Sequence, residues 1–149
     1  MARWVKEILD QLGLHGGLKT SGSSGLHIYL PLPPKTPNEA ATLVAQIIAT
    51  RVAETYPKVA TIERSVKARG ATTVYVDYLQ NIIGKTVAAA YSARANDDAL
   101  VSTPLEWGEL TDDLDPRDFT IGTAPTRFTD VGDIWSAALK KPNSLKALG

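Results

Sequence analysis

Four prolines within seven residues, Pro31, Pro33, Pro34 and Pro37, place the first hard limit on how this chain can fold. Proline has no amide hydrogen and a locked φ, so neither a helix interior nor a central strand can run through them. The flanking segments must be separate elements joined by a stiff connector. Upstream, Leu26–Leu32 is rich in strand-forming residues. Downstream, Asn38 is placed to cap a helix whose apolar stripe is Val44, Ile47, Ile48, Val52 and Tyr56, and Pro57 ends it.

The same reading extends along the chain. Trp4, Val5, Ile8, Leu9 and Leu12 mark one face of a short helix, with Gly13 as its stop. A glycine-rich turn follows. A second strand is predicted at Thr72–Leu79, and Gly84 breaks the chain before a third at Thr86–Tyr91. The order helix, strand, helix, strand, strand implies an α/β or α+β fold, a mixed sheet flanked by helices. Beyond Ala95 the chain is acidic and loop-rich. Short helices are expected at Ser102-Thr103-Pro104, near Asp130 and over Asp133–Leu139, then a frayed tail from Lys140 to Gly149. Its 149 residues suit one domain, 1–149, and show no internal repeat.

Cysteine is absent, which excludes disulfides and cysteine-held zinc and allows a reducing, cytoplasmic setting. No apolar run is long enough to span a membrane, and the start does not read as a signal peptide. The net charge is zero, but it is unevenly spread. From Arg51 to Arg94 seven lysines and arginines face three acids, Glu54, Glu63 and Asp77. From Asp97 to Asp133 ten acids face only Arg117 and Arg127. A neutral total argues against nonspecific nucleic-acid binding by the whole surface; the basic middle permits a local phosphate site or a merely solvated face.

Three groups of residues are candidates for chemistry. In Lys19–His27, glycines and small hydroxyl residues would let backbone amides and hydroxyls turn toward an anion, with Lys19 and His27 as further donors. The same composition also describes an ordinary turn. In Val74–Asn81, Asp77 stands in an apolar and aromatic strand. Burying a carboxylate there is costly unless it is paired with an arginine or bound to a metal, and both readings stay open. Around it lie Arg64, Lys67, Arg69, Lys85 and Arg94, side chains suited to phosphate. Gly84-Lys85-Thr86 is not the end of a P-loop, because Leu79 occupies the place of the upstream glycine.

The run KTSGSSGLHIYLPL from Lys19 to Leu32 resembles a segment of the polymerase domain of bacterial DNA ligase D. So do Arg64–Gly70, Val74–Asn81, Gly84–Thr86, Tyr91–Ala95, Val101–Trp107 and Asp115–Ile121, all in the family's order. The resemblance covers nearly the whole chain and corresponds to the C-terminal portion of that domain. It implies a primase-like polymerase fold of the archaeo-eukaryotic primase superfamily. Its members add nucleotides to DNA ends in nonhomologous end joining, using two Mn²⁺ or Mg²⁺ ions held by three aspartates. Carried over, Asp77 is the third aspartate, a catalytic metal ligand. Ser21, Ser23 and His27 lie in the motif that holds the incoming nucleoside triphosphate, and Lys67 and Arg94 are triphosphate or backbone contacts. The implied partners are a nucleoside triphosphate, DNA ends, a ligase module and the pathway's end-binding protein.

The family's first two aspartates form a D-x-D pair ahead of the serine, glycine and histidine motif. Only Glu7 and Asp10 are acidic before Lys19, and they do not form it. The expectation is therefore an incomplete metal site and little activity from the isolated chain. The alternatives are a noncatalytic nucleotide- or DNA-end-binding module, or a half-domain completed by a partner chain. Asp113-Leu114-Asp115 has the local form of the missing pair but lies in an acidic loop after the histidine, where a solvated turn is the expectation.

Overall fold

The computed structural model describes residues 1–148. In chain order they form α1 (Ala2–Gln11), β1 (Gly17–Thr20), β2 (Leu26–Tyr29), α2 (Asn38–Thr55), β3 (Ala60–Thr61), β4 (Val74–Tyr75), β5 (Pro104–Leu105), α3 (Ala124–Val131) and α4 (Ile134–Leu139). Short 3₁₀ turns lie at Leu79–Asn81, Trp107–Glu109, Pro116–Asp118 and Leu145–Leu148. The class is mixed α/β. None of these helices is long and apolar enough to cross a membrane. Internal contacts divide the chain into two units. One contains Met1–Leu14, Leu32–Thr86 and Asn143–Gly149; the other contains His15–Pro31 and Val87–Pro142.

The first unit is built on α1 and α2. Val5, Ile8 and Leu9 of α1 and Val44, Ile48 and Val52 of α2 are buried, as their spacing predicts; Ala49, outside the predicted stripe, is buried too, while Ile47 and Tyr56 are only partly covered. Trp4 stacks on Tyr56, with ring centroids 5.4 Å apart, and the Tyr56 hydroxyl donates to Glu7. Helix α1 ends in a left-handed cap: Gly13 has φ +64°, its amide donates to Asp10, and the Leu14 amide reaches back to Leu9. Pro37, not Asn38, is the N-cap of α2; Asn38 is the first helical residue. Strand β3, not foreseen, pairs in parallel with β4. The predicted strand over Thr72–Leu79 shrinks to Val74–Tyr75, and Leu79 already begins a 3₁₀ turn. The expected frayed tail is not found as far as Leu148: Asn143 is buried and a 3₁₀ turn follows it, while Gly149 lies outside the described residues.

The second unit carries an antiparallel sheet in the order β2-β1-β5. Residues Gly17–Thr20, expected to form part of a turn, are its central strand, and all four are buried. Gly17 allows α4 to pack closely, since a Cβ there would lie 2.9 Å from the Trp135 ring. Trp135 also meets Tyr29 edge to face at 5.0 Å. Ser102-Thr103-Pro104 starts no helix. Pro104 opens β5, and Thr103 exchanges hydrogen bonds with Thr20. The predicted third strand at Thr86–Tyr91 is absent, because no neighbouring strand accepts its ladder bonds. Helix α4 begins where expected, with the Asp133 carboxylate accepting the Ser136 amide. The helix near Asp130 is α3, and it begins earlier, at Ala124.

Candidate functional site

The second unit brings Ser21, Ser23, His27 and Arg94 together around one hairpin. Strands β1 and β2 pair so that Lys19 lies opposite His27 and Thr20 opposite Leu26, leaving Ser21–Gly25 as the connecting loop. The loop closes on itself: the Ser21 amide donates to the Gly25 carbonyl at 2.9 Å. Ser21 Oγ accepts the amides of Ser23 and Gly25, each at 3.1 Å. Those two amides are thus satisfied within the loop, where the sequence had allowed them to face an anion. The Ser21 side chain shapes the turn, whereas Ser23 is exposed.

Arg94 is drawn to the same loop. Its Nη1 donates to the Ser21 carbonyl at 3.2 Å, and its Cγ would lie 2.5 Å from a Cβ placed on Gly22. Gly22 has φ +70°, so the turn and the close approach both require glycine there. Asn96 adds a bond from Nδ2 to the Gly22 carbonyl at 2.8 Å.

Lys19, read from the sequence as a further donor to an anion, takes a position that composition did not foresee. Lys19 is fully buried. Its ammonium donates to Ser102 Oγ and contacts the Thr20 carbonyl at 3.4 Å and His27 Nδ1 at 3.1 Å. Burial, with the Arg94 charge nearby, lowers its pKa to about 8. Burial, then Lys19 and Arg94, also depresses the His27 pKa, so the imidazole is neutral at pH 7. Among the described residues no carboxylate pairs with Lys19, His27 or Arg94. The hairpin therefore holds a positive field with no protein counter-charge. Ser102 was missed as a contributor; only its place in the VSTPL string hinted at it.

Asp77 and Lys67 belong to the first unit. Asp77 is exposed and lies past the end of β4, so burial does not force a partner on it. Its Oδ1 accepts the Leu79 amide at 2.9 Å, and Oδ2 lies 3.5 Å from Gln80 Nε2. Among the described residues no arginine pairs with it. Lys67 is exposed in the turn after Glu63. Arg69, by contrast, is used structurally: it bonds the carbonyls of Glu63 and Arg64 and lies 4.4 Å over the Tyr75 ring. Among the described residues no group of three histidine, aspartate or glutamate side chains is arranged to hold a metal ion. Asp115 is taken up by a bidentate pair with Arg117 and caps a 3₁₀ turn, as a solvated turn would.

Comparison with known proteins places these features in context. Residues 1–135 match the family described as the LigD primase-polymerase domain. The chain is 36% identical over 132 residues to the bifunctional non-homologous end joining protein LigD of Bacillus subtilis, covering 88% of this chain and 21% of that protein. It is 36% identical over 134 residues to the multifunctional LigD of Mycobacterium bovis, covering 90% and 17%. The polymerase domain of Mycobacterium tuberculosis ligase D, solved in complex with DNA, superposes with a TM-score of 0.83 at 33% identity, covering 95% of this chain and 49% of that one. The chain thus spans less than a quarter of those two relatives and about half of the solved domain.

Proposed function

Because the chain belongs to the LigD primase-polymerase family, we propose that its hairpin binds the polyphosphate of a nucleoside triphosphate, as part of a polymerase that adds nucleotides to DNA ends in non-homologous end joining. The observation that carries this is the uncompensated positive field of Lys19 and Arg94 beside the neutral His27. A polyanion supplies the missing counter-charge, and a half-buried site strengthens each contact. Arg94 spends one bond on Ser21, leaving the rest of its planar fork for phosphoryl oxygens. His27 and the exposed Ser23 hydroxyl are further donors. Lys67 is assigned to a phosphate of the nucleotide or of DNA. DNA as a partner is supported by the related domain having been solved on it. A ligase module, the end-binding protein and a cytoplasmic setting complete the proposal.

Asp77 is assigned as a ligand for Mg²⁺ or Mn²⁺, hard ions that suit a carboxylate. The residues present do not fit a two-ion centre. They offer one exposed carboxylate, and no set of three metal-binding side chains stands together among the described residues. This chain alone is therefore expected to bind nucleotide with little turnover. A primer-extension assay with Mn²⁺ tests it: robust extension abolished by Asp77→Ala would refute the incomplete centre. Triphosphate affinity, measured by titration calorimetry without metal, tests the hairpin. Arg94→Ala removes charge-assisted bonds worth roughly 1.5–3 kcal/mol, about a 10- to 100-fold loss. Affinity unchanged by Arg94→Ala and insensitive to salt would count against the site.

The 49% match to the solved domain favours one further reading, a half-domain in which other polypeptide supplies the remaining carboxylates. Activity restored by adding that segment as a separate chain would support it, and continued inactivity of the mixture would oppose it.

A further inference from the structure

The hairpin contains a contact whose chemistry permits only one assignment at neutral pH. We propose that Lys19 is a positioning residue for His27: its buried ammonium binds the Nδ1 lone pair and holds the ring as the tautomer that carries its proton on Nε2.

The register makes the contact. Lys19 and His27 are direct partners across the β1–β2 ladder, where side chains share one face of the sheet. Lys19 is at the same time the partner of Pro104 in β5, so the central strand fixes it from both sides. Its Nζ lies 3.1 Å from His27 Nδ1. An ammonium has three hydrogens and no lone pair. The three polar atoms around Nζ are Ser102 Oγ, the Thr20 carbonyl and His27 Nδ1. A carbonyl only accepts. Ser102 Oγ gives its hydrogen to that same carbonyl at 2.8 Å, so it accepts from Lys19. Nδ1 must accept too, because a proton on it would set two donors against each other in a buried site.

The consequence falls on the other nitrogen. Among the described residues nothing bonds Nε2. The ring remains uncharged at pH 7, since burial, Lys19 and Arg94 all oppose its protonation. His27 is thereby set as a neutral, oriented N–H donor. This deepens the reading above, and rests on it only in naming a phosphoryl oxygen as the acceptor for Nε2–H. The groups around the ammonium are His27, Arg94 and, 5.7 Å away, the Tyr29 ring; none is an anion at neutral pH. Loss of the Lys19 proton, expected above a pH of about 8, gives Nζ a lone pair and releases the constraint.

Long-range ¹H–¹⁵N NMR of the imidazole nitrogens in the full chain tests the assignment. His15→Gln leaves His27 as the single source of signals. The expected result at pH 7 is an unprotonated Nδ1 and a protonated Nε2. Averaging of the two shifts is expected above pH 8 and, at pH 7, in Lys19→Met, with Lys19→Arg restoring the separation. A protonated Nδ1 in the unsubstituted chain overturns the inference, as does a spectrum that Lys19→Met leaves unchanged. If Lys19→Met does not fold, the unsubstituted chain still decides, by its tautomer and by the pH at which averaging sets in. The Nε2–H form in a chain with no triphosphate affinity upholds this inference and removes the proposed function instead.

Discussion

Replacing Gly22 with alanine should disturb the hairpin in two separable ways. The first is backbone strain. Gly22 has φ +70°, and an L-residue held in the left-handed region costs about 1–2 kcal/mol. The second is collision. The new Cβ would stand 2.5 Å from Arg94 Cγ and 3.2 Å from the Ser102 amide nitrogen. Arg94 is exposed and can swing aside, but doing so gives up its bond to the Ser21 carbonyl; Ser102 is buried and cannot move freely. Overpacking of this kind costs about 1–3 kcal/mol. The expected total is roughly 3 kcal/mol, and at about 2–4 °C per kcal/mol for a chain of this size the melting temperature should fall by roughly 6–12 °C. A double-mutant cycle by urea denaturation separates the parts. In an Arg94→Ala background Cγ is gone, so Gly22→Ala should cost about 1–2 kcal/mol less than in the unsubstituted chain. Additivity within about 0.5 kcal/mol would show that the close approach between Gly22 and Arg94 is not real, and the placement of Arg94 against the loop would fall with it.

Three other perturbations probe the second unit. The Asp133 pKa is lowered to about 2, chiefly by hydrogen bonds from Ser136 and then Tyr91. Its stabilising effect is therefore complete above the unfolded value of 3.8 and is lost as pH falls through about 2; Asp133→Asn should flatten that acid limb of a melting-temperature profile. Arg127 grips Glu109 with both terminal nitrogens, at 2.6 and 2.7 Å, and also donates to the Pro104 carbonyl. Arg127→Lys keeps the charge but not the fork, so urea unfolding should show a loss of about 1–2 kcal/mol; no loss would make the pair incidental. The lowered pKa of Lys19 gives the same pH slope as Asp133, but at alkaline pH and because burial disfavours its charged form. Between about 8 and 10.5 the unfolded chain holds this proton more tightly, so the unfolding midpoint should rise with pH across that window, and Lys19→Met should remove the rise.

Local physics made much of this chain legible. Proline and glycine punctuation marked both ends of α2 and the stop of α1, and spacing alone identified the buried faces of both helices. The strings that carry the family resemblance could be read directly, and the comparisons bear that membership out. The hairpin also brought Ser21, Ser23, His27 and Arg94 onto one loop. Short strands were the weak point. Thr86–Tyr91 has strand-forming residues and no strand to pair with, while β5 begins at a proline that looked like a helix start. Asp77 looked buried because its neighbours are apolar, yet β4 is two residues long and leaves the carboxylate in solvent.

Lys19 shows most clearly where sequence stops. That it stands eight residues before His27 is written in the chain. That both face each other, with the ammonium sealed from water, follows from the five-residue loop, the pairing of β1 with β5 and the packing of α4 over Gly17. Periodicity and propensity act between near neighbours, so the sequence could specify helices, turns and the residue types of the site. Burial of a charged side chain in a central strand depends on segments more than eighty residues away, and only the folded tertiary structure could decide it.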